Sequence, residues 1–175
     1  MQEVISSPRS RAEIRELAKF IRTIAGYNDN EPIPVLDLAE NKMQEWFENY
    51  GFIVETQEEM GRAEGLSSGE GGYIKIREDV YEKALKGDGR SRFTIAHEIF
   101  HFIFHVKGTF EFARMGEKIP IYMNPEWHAD CFAGELLMPY EKIKNMSEFS
   151  IVERYEVSSK AAEYQLSKIK RPSYN

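Results

Sequence analysis

The segment TIAHEIFHFIFH, residues 94–105, constrains the fold of this chain more than any other stretch. Positions four apart share one face of an α-helix, so His97 and His101 would project side by side. The rest of that helix is apolar, carried by Phe93, Ala96, Phe100, Ile103 and Phe104, which demands burial on most sides. A buried helix with two satisfied core histidines would meet that demand, but it would leave Glu98 as a costly unpaired charge. A metal site gives all three polar residues a task. Each imidazole can offer a nitrogen to one ion, at about 2.0–2.1 Å for zinc. Glu98 lies about 100° round the helix from His97 and can reach a water on that ion without binding it. Zinc lowers the pKa of such a water to about 7, and a nearby carboxylate takes its proton as it attacks a carbonyl. Glu98 is therefore the candidate general base.

Two imidazoles leave a metal short of donors. The run HEIFHFIFHVK rules out the metzincin arrangement, because Phe104 and Lys107 stand where that pattern needs glycine and histidine. His105 is two turns from His97, about 12 Å along the axis, and reads as a wall or rim residue. The third ligand must come from another helix. EWHAD supplies Glu126, His128 and Asp130 at the start of the next strong apolar helix. Glu126 and Asp130 share a face, and His128 points nearly away from them. Glu126 is preferred as ligand over His128, with Asp130 placed to accept a hydrogen bond from the far nitrogen of one histidine. Acids favoured by a helix N-terminus would give the same letters without a metal.

Taken together, RFTIAHEIFHFIFH and EWHADCFAGELLMP resemble the ImmA/IrrE family of bacterial and phage metallo-endopeptidases, within the gluzincin class and its thermolysin-like core. The resemblance implies that His97, His101 and Glu126 hold Zn²⁺ and that Glu98 is the general base. It also implies a cytosolic protease acting on a regulatory protein, commonly a helix-turn-helix repressor of a phage or mobile element. Two residues depart from the family pattern. Asp130 stands where asparagine is usual, and His128 where an acid is common, which keeps His128 open as a ligand. The length leaves no room for the sensory domain of some longer relatives.

Around these motifs the chain reads as one α+β domain over 1–175, mainly helical, with a small antiparallel or mixed sheet. N-terminal helices occupy 1–50. Ser10 and Glu13 form a capping box before the stripe Ile14, Leu17, Ala18, Ile21, Ile24, and Gly26 closes that helix. A second helix is expected from Val35 to a C-cap at Gly51. The sheet is expected over 51–78, from GFIVE and from Tyr73, Ile74, Lys75, Ile76 and Arg77, whose alternation predicts a half-buried strand. That second strand is expected at the sheet edge, open to an extended peptide substrate. Between the strands, MGRAEGLSSGEGG has five glycines and reads as a mobile rim or a distorted hairpin. The two motif helices are expected over 90–106 and 125–138, and C-terminal helices over 140–175. A short strand is expected at PIYM. Tyr122 and Tyr140 flank the second motif helix and are candidate oxyanion donors or rim residues.

Composition narrows the partners. The net charge of -6 argues against a broad nucleic-acid footprint, even though the C-terminal SSKAAEYQLSKIKR has a basic end. The single cysteine, Cys131, fits a reducing compartment and reads as a buried small hydrophobe. No run of about 18 apolar residues suggests a membrane span. The alternative to a peptidase is a non-catalytic anti-repressor or toxin-like module with a structural or vestigial metal site. An intact Glu98 separates the two, since a structural site has no need of a base.

Overall fold

The computed structural model describes residues 4–68, 72–104, 110–112 and 120–169. It is mainly helical with a small mixed sheet, the α+β class expected. Strand β1 (Val4–Ser6) leads into α1 (Arg11–Ala25), which starts at the predicted capping box: Ser10 N donates to Glu13 Oε2 at 2.6 Å and Glu13 N to Ser10 Oγ at 3.2 Å. Gly26 closes α1 at φ 75°, a conformation glycine adopts without steric cost.

The second helix is shorter than its sequence suggests. Helix α2 (Val35–Asp37), a π turn (Leu38–Lys42) and α3 (Met43–Trp46) run on as one helix. The π turn stacks Leu38 under Met43, five residues on, so both reach the core while Lys42 stays out. Phe47 is already extended, and Gly51 does not cap the helix. It opens β2 (Gly51–Glu55) instead, pairing with Tyr73.

Helix α4 (Gln57–Met60) then precedes β3 (Gly65–Ser68), which forms a hairpin with β4 (Tyr73–Arg77). The strand order is β2-β4-β3, with β2 parallel and β3 antiparallel to β4. Tyr73, Ile74, Lys75, Ile76 and Arg77 thus form the central strand, not the edge. The edges belong to β2 and β3, and β3 comes out of the glycine-rich stretch, which is therefore only in part a loop. Ile74 and Ile76 are buried against the helices, while Arg77 bends over to Asp79 at 2.5 Å.

Helix α5 (Glu78–Leu85) leads to the first motif helix, α6 (Gly89–Phe104). The Asp88 carboxylate caps α6, accepting from Ser91 N at 2.8 Å. Strand β5 (Phe110–Phe112) pairs antiparallel with β1, a second sheet the sequence did not announce. PIYM forms no strand; Ile121–Met123 is a 3-10 turn. The second motif helix is α7 (Pro125–Leu137), and α8 (Tyr140–Ile143), α9 (Glu148–Tyr155) and α10 (Ser159–Ile169) follow. The core gathers Ile95, Ile99 and Phe100 of α6, Phe132, Ala133 and Leu136 of α7, Ile14 and Ala18 of α1, and Ile74 and Ile76 of the sheet. The two motif helices are thereby fixed against each other at the centre of the molecule. Among the described residues no helix is long and apolar enough to cross a membrane.

Candidate metal centre

Helix α6 contributes His97 and His101, one turn apart, with ring centroids 4.6 Å apart. Helix α7 brings Glu126 to them. Its start is fixed by Asn124, whose side-chain oxygen accepts from Glu126 N at 2.9 Å and Trp127 N at 3.2 Å, and by Pro125 in the first turn. Glu126 Oε2 lies 3.2 Å from His97 Nε2, and its Oε1 lies 3.2 Å from His101 Nε2. The two Nε2 atoms are 2.9 Å apart.

These separations test whether a metal fits. Donors about 2.05 Å from a tetrahedral ion lie about 3.3 Å from one another. The two imidazole nitrogens and the Glu126 carboxylate, which turns one oxygen to each of them, are near that spacing, and one donor atom from each residue lies within 4.8 Å of the others. The donor set of two imidazoles and a carboxylate suits zinc and leaves a fourth direction open. The residues fit the ion.

Asp130, one turn after Glu126, sits behind His97, with Oδ1 3.0 Å from Nδ1. That contact fixes the tautomer that leaves Nε2 free as a donor atom. Burial alone would lower the pKa of His97, but Asp130 and Glu126 outweigh it and raise it to about 9. The same contacts pull Glu126 well below the usual carboxylate range, led by the hydrogen bonds from His101 and His97.

Glu98 stays out of the donor triangle and faces the sheet. Burial raises its pKa, opposed by His97 and by a hydrogen bond from Ser67. Gly65 of β3 comes so close that a Cβ there would lie 2.6 Å from Glu98 Cγ and 3.0 Å from Oε1. Sequence reasoning missed both Gly65 and Ser67, because the approach of β3 to α6 is a long-range contact. It missed Asn124 too, although asparagine before proline is a readable helix start.

The remaining candidates lie elsewhere or play other parts. His128 is fully buried and is neither ligand nor rim. Its Nε2 is 2.8 Å from the Tyr122 carbonyl, which can only accept, so Nε2 carries the proton and Nδ1 accepts from Ser6 Oγ at 2.9 Å. Burial keeps this ring neutral by lowering its pKa. His128 thus pins β1 to α7, a role invisible without knowing where Ser6 goes. Tyr122 is exposed in the turn before α7. Tyr140 begins α8 beyond the far end of α7, with the Arg15 guanidinium 3.8 Å over its ring. From Glu126 to the end of α7 the helix rises about 16 Å, and Tyr140 lies beyond that end, away from the donor triangle. His105 lies outside the described residues. Cys131 is buried, which raises its pKa to about 12 and leaves it an inert thiol.

No curated protein matches this chain. Among solved structures it resembles a Mycobacterium tuberculosis transcriptional regulator, at a TM-score of 0.62 and 16% identity, over 93% of this chain and 48% of that one. The likeness concerns the fold alone, and this chain spans about half the length of that regulator. Residues 53–167 match the Peptidase_M78 family, described as the IrrE N-terminal-like domain, and that span runs from β2 through the glycine-rich hairpin and both motif helices into α10. With the match covering most of the chain and both helices of the donor triangle, the protein belongs to the IrrE N-terminal-like, Peptidase_M78 family.

Proposed function

We propose that the protein is a zinc-dependent endopeptidase that hydrolyses a peptide bond in a regulatory protein of the cytoplasm. The observation that carries this reading is the division of labour around the donor triangle. Three side chains bring donor atoms close enough together to share one ion, and the half-buried carboxylate beside them gives no atom to that group. A bound zinc would supply Lewis acidity, polarising the substrate carbonyl and acidifying a water. Glu98 takes the proton of the attacking water on a carboxylate oxygen and passes it to the leaving amide nitrogen, so that water and peptide give an acid and an amine. Burial favours that task, because a raised pKa makes the carboxylate a better acceptor. Asp130 holds His97 with its donor nitrogen forward.

Substrate backbone is held by the outer side of β3, where no strand pairs among the described residues. An extended peptide added there gains main-chain hydrogen bonds and lies beside Glu98, since Gly65 is in contact with it. A transcriptional repressor is the favoured substrate. Family membership supports a protein substrate, and the structural neighbour is itself named a transcriptional regulator.

Metal analysis with parallel hydrolysis tests the reading. Wild-type protein should carry one zinc per chain and cleave an unstructured protein substrate. His97→Ala and Glu126→Ala should lose both metal and cleavage. Stoichiometric zinc in His97→Ala, or cleavage by metal-free protein, would overturn it.

A further inference from the structure

A cleft of about 1020 Å³ starts at His97 and Glu98 and runs away from them along α6, with α7, α10 and the start of β3 as its other walls. Three features describe what it would accept. The first is length. On α6 the cleft is lined by His97, by Phe93 and Thr94 one turn back, and by Arg90 a further turn back. Seven residues of helix rise about 10 Å. An extended peptide advances about 3.3 Å per residue, so about three residues fit between the donor triangle and Arg90.

The second feature is the apolar floor. Phe93 is half-buried and Met138 buried, and Ala161 and Tyr164 of α10 line the same space. The third is the charge at the rim. Arg90 is committed to Glu64, 2.9 Å away, and Glu64 is shared with Arg77 at 4.0 Å. Asp130 is committed to His97. Arg62 and Lys160 are exposed on the cleft and form no ion pair among the described residues. Apart from Glu98 at its inner end, the charged side chains on this cleft that have no ion partner among the described residues are the two cations Arg62 and Lys160, in a chain of net charge -6.

We propose that the cleft is the specificity subsite of the peptidase. It takes an apolar side chain against Phe93, Met138 and Tyr164 near the cleaved bond, and one or more carboxylates against Arg62 and Lys160 at the Arg90 end about three residues further out, where Glu64, two residues after Arg62, pairs with Arg90 and Ser158, two before Lys160, packs on Gly89. The substrate class is thus an extended segment with an apolar residue and an acidic residue at that spacing. This rests on the peptidase reading above and adds to it. Charge complementarity at an exposed rim acts mainly on encounter and register, and salt screens it.

Binding without turnover tests it. Zinc-loaded Glu98→Gln protein is titrated, by fluorescence anisotropy at low salt, with two pools of fluorescein-labelled octapeptides. Both pools carry Leu, Phe or Met in the middle. One has Asp or Glu three residues away on either side, the other Lys or Arg. The acidic pool should bind about three- to tenfold more tightly, the scale of two exposed charge pairs. The Arg62→Glu/Lys160→Glu variant, which removes no side-chain hydrogen bond or ion pair among the described residues, should keep its zinc and reverse the preference. Equal binding of the two pools, or a preference that survives the reversal, overturns the proposal. Incubating the same pools with wild-type protein separates the two readings. Pools bound with acidic preference and never cut would sink the peptidase and leave the subsite, whereas cutting without acidic preference would do the opposite.

Discussion

Gly65→Ala isolates the placement of Glu98 from everything else at the centre. The new methyl carbon would stand 2.6 Å from Glu98 Cγ, 3.1 Å from Cδ and 3.0 Å from Oε1. Carbon atoms pack comfortably at about 3.5–4.0 Å, so the side chain must retreat by about 1 Å. The backbone is no obstacle, since Gly65 is not among the positive-φ glycines. The cheapest response is for Glu98 to swing away, because β3 is tied to β4 by its ladder. A displacement of about 1 Å in a reacting group can cost about 100-fold in rate. The donor triangle is untouched, so zinc content should stay at one per chain while kcat falls by about that factor. Gly51→Ala is the control: it is also a strand glycine, and its Cβ would meet nothing within 4 Å. The assay is steady-state hydrolysis of an internally quenched peptide, with zinc measured on the same samples. A Gly65→Ala enzyme with full zinc and wild-type kcat would refute the reasoning that the position of Glu98 sets the rate.

Two further expectations concern the histidines. Asp130→Ala removes the partner 3.0 Å from His97 Nδ1 and should weaken zinc binding by about 10- to 100-fold without unfolding the protein, read by competition with a chromophoric chelator. In the metal-free protein the His97 pKa is raised to about 9, above its unfolded value of about 6.5. Its contribution to stability is therefore fully present below about pH 6.5 and is lost as pH rises through about 9. The melting-temperature advantage of metal-free wild type over His97→Gln should shrink across that window. Zinc needs the deprotonated imidazole, so its affinity should run the other way and fall as pH drops. An advantage that grows with pH would contradict the charge network at the site.

What could be read from the sequence was local. The capping box of Ser10 and Glu13, the stop at Gly26 and the start at Pro125 depend on neighbours within four residues, and each forms where expected. The α+β class follows from helix periodicity and strand alternation, while Glu126 is only favoured over His128 as third donor by its shared face with Asp130, and the resemblance supplies the full ligand set. What failed was long-range or contrary to propensity. GLSS, residues 65–68, has little β preference, yet pairing with β4 and packing on α6 make it an edge strand. That pairing moves Tyr73–Arg77 to the centre of the sheet. His128 reads as a site residue because it stands between two acids, but the partners that bury it, Ser6 and the Tyr122 carbonyl, come from outside its helix. Tyr140 was near the motif only in sequence, since α7 carries it away from Glu126.

The central claim is that Glu98 does chemistry beside a metal it does not bind. Glu98→Gln keeps the size of the side chain and removes its ability to accept a proton. Zinc per chain and the rate of peptide hydrolysis should be measured together on one preparation of this variant and of wild type. Unchanged zinc with hydrolysis reduced by about 100-fold or more is the predicted result, within the range of a lost general base. Unchanged zinc with unchanged hydrolysis would contradict it, as would loss of the metal.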